Sequence, residues 1–185
     1  MHTYNIPGTV RKTLPYTQTL PDGIDDLTTR LQDLDLTGNQ LKRLPDCIGE
    51  ISSLRCLWLT KNRLQTLPPT IGNLNKLREL YVDENIMVDV PIEIGCCTSL
   101  TKLSLRYNRL ERIPAEMGGC VSLRSLNLGR NKNITMFPPE MGALTNLRSL
   151  SLDVELLGTF TPALLGWVTT LDDLQYSGKK QKTRV

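Results

Sequence analysis

The sequence predicts an α/β solenoid, in which a curved parallel β-sheet lines the concave face and short helical or irregular segments form the convex face. Three observations carry this. Leu31, Leu54, Leu77, Leu100 and Leu123 recur at an interval of 23 residues, and a fixed period of about 20 to 50 residues is the mark of stacked repeats. Each of these leucines opens a run of alternating leucines, the pattern of a short strand with one buried face. Each run is followed by an asparagine, then by an aliphatic-Pro step and an Ile-Gly or Met-Gly step at the same offsets.

The units read in order. The first is Leu31, Leu34, Leu36, Asn39, Leu41, Leu44-Pro45, Ile48-Gly49 and Ile51. The second carries Leu54, Leu57, Leu59, Asn62, Leu64, Leu67-Pro68, Ile71-Gly72 and Leu74. The third keeps the frame with Leu77, Leu80, Val82, Asn85, Met87, Val90-Pro91, Ile94-Gly95 and Cys97. The fourth has Leu100, Leu103, Leu105, Asn108, Leu110, Ile113-Pro114, Met117-Gly118 and Cys120. The fifth runs through Leu123, Leu126, Leu128 and Asn131, then inserts one residue before Ile134, Phe137-Pro138, Met141-Gly142 and Leu144. A sixth is degenerate: Leu147, Leu150 and Leu152 are present, but Glu155 replaces the asparagine and the proline and glycine are missing from their places. Leu171, Leu174 and Tyr176 suggest a final strand, and Leu20-Pro21, Ile24 and Leu27 suggest the back half of an upstream unit.

Physical reasons for the pattern are direct. So short a strand cannot bury its leucines alone, so it must pair in parallel with the next unit's strand about 4.8 Å away. The asparagine amide can donate to and accept from backbone where the chain turns, so Asn39, Asn62, Asn85, Asn108 and Asn131 should form an internal hydrogen-bond ladder. Proline fixes a φ that can open a helical segment. The following glycine either ends that segment or permits close packing. Helical segments are wider than strands, so the stack bends with its strands inside.

Composition removes whole function classes. The chain has 185 residues, with Lys+Arg 22 against Asp+Glu 19 and a net charge of +3, too balanced to imply nucleic acid or an anionic membrane by field alone. A single histidine, His2, leaves little room for histidine triads, HExxH zinc sites or His-containing zinc fingers. No GxxxxGK[ST], GxGxxG or GxSxG string occurs, so neither catalysis nor a cofactor is expected. The N-terminus shows no apolar signal region and no stretch of about 18 apolar residues occurs, so no membrane span is expected. Five cysteines without a CxxC pair point to a reduced, cytoplasmic protein. Cys97 and Cys120 occupy the positions of Ile51 and Leu74 and read as small buried hydrophobes.

This string resembles the leucine-rich repeat superfamily over about residues 20 to 176. Its 23-residue Leu-Pro-x-x-Ile-Gly form is most similar to the intracellular Ras-group class, the class of Ras suppressor protein, and to the repeats of Scribble-type polarity proteins. The resemblance implies a non-enzymatic interaction protein that binds through its concave face, serving as a scaffold or adaptor on a signalling protein such as a small GTPase or phosphatase. The alternative is a recognition domain of a larger enzyme polypeptide. The expected organisation is a capping segment over 1–23, repeats over 24–170, and a capping strand with a basic tail over 171–185.

Function must sit between the core leucines. Strand alternation places one column at Asp35, Trp58, Tyr81, Ser104, Asn127 and Ser151 on the concave face. A second is Asp33, Cys56, Glu79, Lys102, Ser125 and Ser149, and a third is Thr37, Thr60, Asp83, Arg106, Gly129 and Asp153, flanked by Lys61, Glu84, Tyr107 and Arg130. Trp58 and Tyr81 should be neighbours on an open surface, and large aromatics flanked by charge are typical binding anchors. Glu79, Asp83 and Glu84 read as an acidic cluster, followed by the basic Lys102, Arg106 and Arg130. Acidic groups interrupting basic ones suit a protein partner rather than a phosphate track. The plainer alternative is that the rings merely cover leucine and the charges form a solvated face. The row Arg55, Arg78, Arg124 and Arg148 should rim the strand edge and aid solubility.

At the ends, Tyr4, Ile6, Val10 and Leu14 are expected to cover the first unit's core. Asp172, Asp173, Lys179, Lys180 and Lys182 would keep the far edge from pairing, so a monomer is expected. The tail Lys182-Thr183-Arg184-Val185 resembles a PDZ-domain ligand, in which Thr183 and the Val185 carboxylate would be bound, or else it is a solvated basic tail. Asn133-Ile134-Thr135 forms a glycosylation sequon, read as accidental without a signal peptide.

Overall fold

The computed structural model describes residues 10–13 and 31–177. Eight strands form one parallel sheet whose spatial order follows the chain. They are β1 (Val10–Thr13), β2 (Leu31–Asp35), β3 (Cys56–Trp58), β4 (Glu79–Tyr81), β5 (Lys102–Ser104), β6 (Ser125–Asn127), β7 (Ser149–Asp153) and β8 (Asp173–Ser177). The crossovers from β2 to β7 each contain one short 3-10 turn: Asp46–Glu50, Pro69–Asn73, Ile92–Cys96, Ala115–Gly119 and Pro139–Ala143. The result is the curved solenoid read from the sequence. Tyr4, Ile6, Leu14, the Leu20 to Leu27 half-unit, the three tail lysines, Thr183 and Val185 lie outside the described residues.

Register follows the 23-residue period. Leu34, Leu57, Leu80, Leu103 and Leu126 stand opposite one another across successive strands, and Leu150 and Leu174 continue the row. The repeat leucines are almost wholly buried in one continuous core, and Cys97 and Cys120 are fully buried within it. Both thiols donate to the preceding unit's turn, Cys97 Sγ to Ile71 O at 3.3 Å and Cys120 Sγ to Ile94 O at 3.1 Å.

The asparagine ladder is complete at Asn62, Asn85, Asn108 and Asn131, and Asn39 Nδ2 donates to Leu36 O at 2.8 Å. Asn85 shows its design: Nδ2 donates to Leu59 O (2.9 Å) and Val82 O (3.1 Å), and Oδ1 accepts from Leu64 N (3.0 Å). Asn62, Asn108 and Asn131 repeat these contacts one unit apart. Groups that no strand can satisfy are thus paired inside the stack.

Pro45, Pro68, Pro91, Pro114 and Pro138 each precede a 3-10 turn in an extended conformation. The glycine's role resolves to packing. A Cβ on Gly72 would lie 2.7 Å from Glu93 O, and one on Gly95 would collide with Glu116 O. Neighbouring turns therefore approach backbone to backbone. The residue before each ladder asparagine turns the chain through the left-handed region: Gly38, Lys61, Glu84, Tyr107 and Arg130 have φ between 54° and 70°. Only the first unit supplies the residue that favours this conformation.

After β7 the chain leaves the repeat. A 3-10 segment (Val154–Thr159) leads into the helix α1 (Pro162–Val168), which Thr161 caps through its side chain with Pro162 in the first turn. Trp167 Nε1 donates to Leu144 O at 3.1 Å, and its ring joins Phe137 and Phe160 (centroids 6.0 Å and 4.8 Å from Phe137). This aromatic cluster covers the last turn's core, and β8 completes the sheet beside β7.

Candidate protein-binding face

Two columns of side chains rise from the sheet beside the leucines. Asp33, Cys56, Glu79, Lys102, Ser125, Ser149 and Asp173 form one row in register, and Asp35, Trp58, Tyr81, Ser104, Asn127, Ser151 and Gln175 form the next. The rings of Trp58 and Tyr81 are half-buried and lie parallel within 2°, with centroids 6.2 Å apart. Offset stacking at this separation adds about 0.5–1.5 kcal/mol beyond burial and fixes both rings as one flat plate.

Hydrogen bonds hold the plate. Tyr81 Oη donates to Glu79 Oε2 at 2.8 Å, and Lys102 Nζ binds Glu79 Oε1 at 2.9 Å. Burial alone would raise the Glu79 pKa, but the bonds from Lys102 and Tyr81 and the Lys102 charge hold it below its ordinary value. Burial and the hydrogen bond to Glu79 push the Tyr81 phenol upward, so it remains a neutral donor. Burial and the neighbouring Asp33 push the Cys56 thiol up to about 12. Such a thiol is no nucleophile at neutral pH.

Glu79, Asp83 and Glu84 are not three equivalent free carboxylates. Glu79 is engaged as described, and Asp83 Oδ1 accepts from Ser104 Oγ (2.6 Å) and Arg106 N (2.8 Å). Burial raises the Asp83 pKa against the opposing pull of these two bonds and the Arg106 charge. Glu84 stays exposed on the rim with Lys61, Tyr107 and Arg130. Arg106 stacks on Tyr107 with its guanidinium carbon 4.6 Å from the ring centroid, and Arg130 lies 5.9 Å from it.

Sequence columns missed a shallow cleft of about 380 Å³ on this rim, lined by Tyr107, Asn108, Arg109, Arg130, Lys132 and Asn133. Arg109, Lys132 and Asn133 belong to no strand column. The inserted residue of the fifth unit was the available signal. Among the described residues no group of three or more His, Cys, Asp or Glu side chains could hold a metal ion. No helix among them is long and apolar enough to cross a membrane.

Comparison with known proteins fits this architecture. The family of leucine-rich repeat regions matches residues 22–128, and a second leucine-rich repeat family matches residues 98–161. No curated protein matches the chain in sequence. Among solved structures, the leucine-rich repeat protein LIC12759 of Leptospira interrogans is 27% identical with a TM-score of 0.52, covering 86% of this chain and 52% of that one. An internalin (inlF) of Listeria monocytogenes is 22% identical with a TM-score of 0.68, covering 91% and 48%. The leucine-rich repeat domain of the type III effector XopL is 21% identical with a TM-score of 0.65, covering 93% and 78%. The chain thus spans about half the length of the first two. Leucine-rich repeat domains generally mediate protein–protein interaction, and with residues 22–128 matched the chain belongs to the leucine-rich repeat family.

Proposed function

We propose that this chain is a monomeric protein-interaction module of the Ras-group type, which captures a protein partner on its concave face. The observation that carries the reading is the parallel Trp58–Tyr81 plate, half-exposed on an otherwise polar wall and fixed by Glu79 and Lys102. Rigid aromatics present large contact area with little rotamer entropy to lose, which is the usual chemistry of a binding hot spot. Around it, Asp83 and Glu84 against Arg106, Tyr107 and Arg130 supply a polar rim of both signs. The cellular role is that of a cytoplasmic, non-enzymatic scaffold or adaptor on a signalling protein, a small GTPase or phosphatase being the class implied by the resemblance of the repeats.

The test is affinity capture from a native lysate by the wild-type chain and by a Trp58→Ala/Tyr81→Ala variant. A partner retained by the first should be lost by the second, with affinity falling about 30-fold or more. Equal recovery by both proteins refutes the anchor. A second reading has its own support in the chain's spanning about half the length of the first two solved relatives: the same face would then serve as the recognition domain of a larger polypeptide, regulating it in cis.

A further inference from the structure

We infer that the rim cleft beside Tyr107 is an anion subsite that takes a phosphorylated side chain of a protein partner. Along the rim the charge changes sign between units. The third unit presents Asp83 and Glu84, whereas the fourth and fifth present Arg106, Arg109, Arg130 and Lys132 around Tyr107. Gly129 falls where the fourth unit has Arg106, and Tyr107 N donates to Gly129 O at 3.0 Å. The residue inserted after Asn131 carries Lys132 and Asn133 outward to form the far wall.

Charge balance points to a compact dianion. No carboxylate lines the cleft, and among the described residues the side chains of Arg109, Arg130 and Lys132 form no ion pair. Asp153 of the next unit is buried and accepts the backbone N–H of Arg130 at 3.0 Å. Arg112, by contrast, is matched to Asp89 at 2.5 Å. Two arginines, a lysine and Asn133 line the same cleft of about 380 Å³, and a phosphate monoester carries a charge of about −1.5 to −2 with three acceptor oxygens. A nucleic-acid backbone fits less well, because its next phosphates would meet Asp83 and Glu84. The subsite does not depend on the Trp58–Tyr81 plate, which stands on β3 and β4.

The probe is a blocked Gly-X-Gly tripeptide with X as phosphoserine or serine, titrated by NMR beside inorganic phosphate and a single-stranded thymidine octamer. The phosphoserine tripeptide should shift the amides of Tyr107, Arg109, Arg130 and Asn133, more tightly than inorganic phosphate and more weakly at raised salt. Serine tripeptide should leave them unmoved. Arg109→Gln/Arg130→Gln, both exposed positions, should weaken binding about tenfold or more. Trp58→Ala/Tyr81→Ala should leave it unchanged, which separates this site from the concave anchor. Unaltered binding by the glutamine variant overturns the assignment. So does inorganic phosphate binding as well as the tripeptide, tighter binding of the octamer, or no binding of any phosphoryl probe.

Discussion

Asparagine-to-alanine substitutions along the ladder should have unequal costs, and the hydrogen bonds give the order. In Asn85→Ala, the Leu64 N–H loses its partner at 3.0 Å outright. The carbonyls fare better, because Leu59 O still receives Asn62 Nδ2 (2.9 Å) and Val82 O still receives Asn108 Nδ2 (2.9 Å). Asp83 O likewise keeps the Lys61 N–H at 2.9 Å. One orphaned donor at about 1–3 kcal/mol plus weakened carbonyl pairing gives a loss of about 2–3 kcal/mol. Asn131→Ala lacks this redundancy. It orphans the Leu110 N–H, and Leu128 O loses the 2.8 Å bond that no sixth asparagine duplicates, since Glu155 stands in that place. Its cost should be about 1 kcal/mol greater. Urea unfolding followed by far-UV circular dichroism reads both. With a slope of about 2 kcal/mol/M, Asn85→Ala should lower the midpoint by about 1–1.5 M and Asn131→Ala by more. A loss below about 0.5 kcal/mol for either, or the reverse order, would refute the claim that the ladder satisfies otherwise orphaned backbone.

Three further outcomes follow from the packing and charge. Gly95→Ala should destabilise by about 1–3 kcal/mol because its methyl meets Glu116 O, whereas Gly142→Ala, whose nearest neighbour would be Leu164 Cδ2 at 3.9 Å, should be close to neutral; thermal melts of the two variants make the comparison. Burial pushes the Cys97 and Cys120 thiols up to about 11 and about 12, so thiol titration of the native protein at pH 8 should label exposed Cys96 fast and these two only on unfolding. The Glu79 pKa is lowered in the fold, so its contribution is present above its unfolded value of 4.5 and is lost as pH falls through the depressed folded value. Glu79→Gln should therefore flatten stability against pH on the acid side. Asp83, whose pKa is raised, titrates with the opposite sign and should be held constant as Asp83→Asn in both proteins.

Much of the fold was legible because one geometric unit is written five times. A 23-residue period fixes strand register, so side-chain columns such as Asp35, Trp58 and Tyr81 could be assembled by counting alone. The glycine was ambiguous in sequence, since ending a turn and allowing contact both favour it; the Cβ clash with the next unit's carbonyl settles the question. The C-terminal helix escaped the repeat frame, although Thr161-Pro162 is a helix-start signal, and the cluster of Phe137, Phe160 and Trp167 joins residues that no periodicity links. Side-chain pairings on the concave face were equally out of reach. Columns show that Glu79 and Lys102 are neighbours, but not that Glu79 spends both oxygens on Tyr81 and Lys102. The rim cleft was missed because its walls come from turn residues with left-handed φ and from an insertion, positions outside the strand alternation.

The most direct measurement is a hydrogen-exchange footprint of the captured partner on the wild-type chain. Protection centred on β3 to β5, with the Trp58 and Tyr81 segments slowed most, is the result this account predicts. Protection confined to the 3-10 turns at Pro69–Asn73, Ile92–Cys96 and Ala115–Gly119, with the strands unchanged, would contradict it.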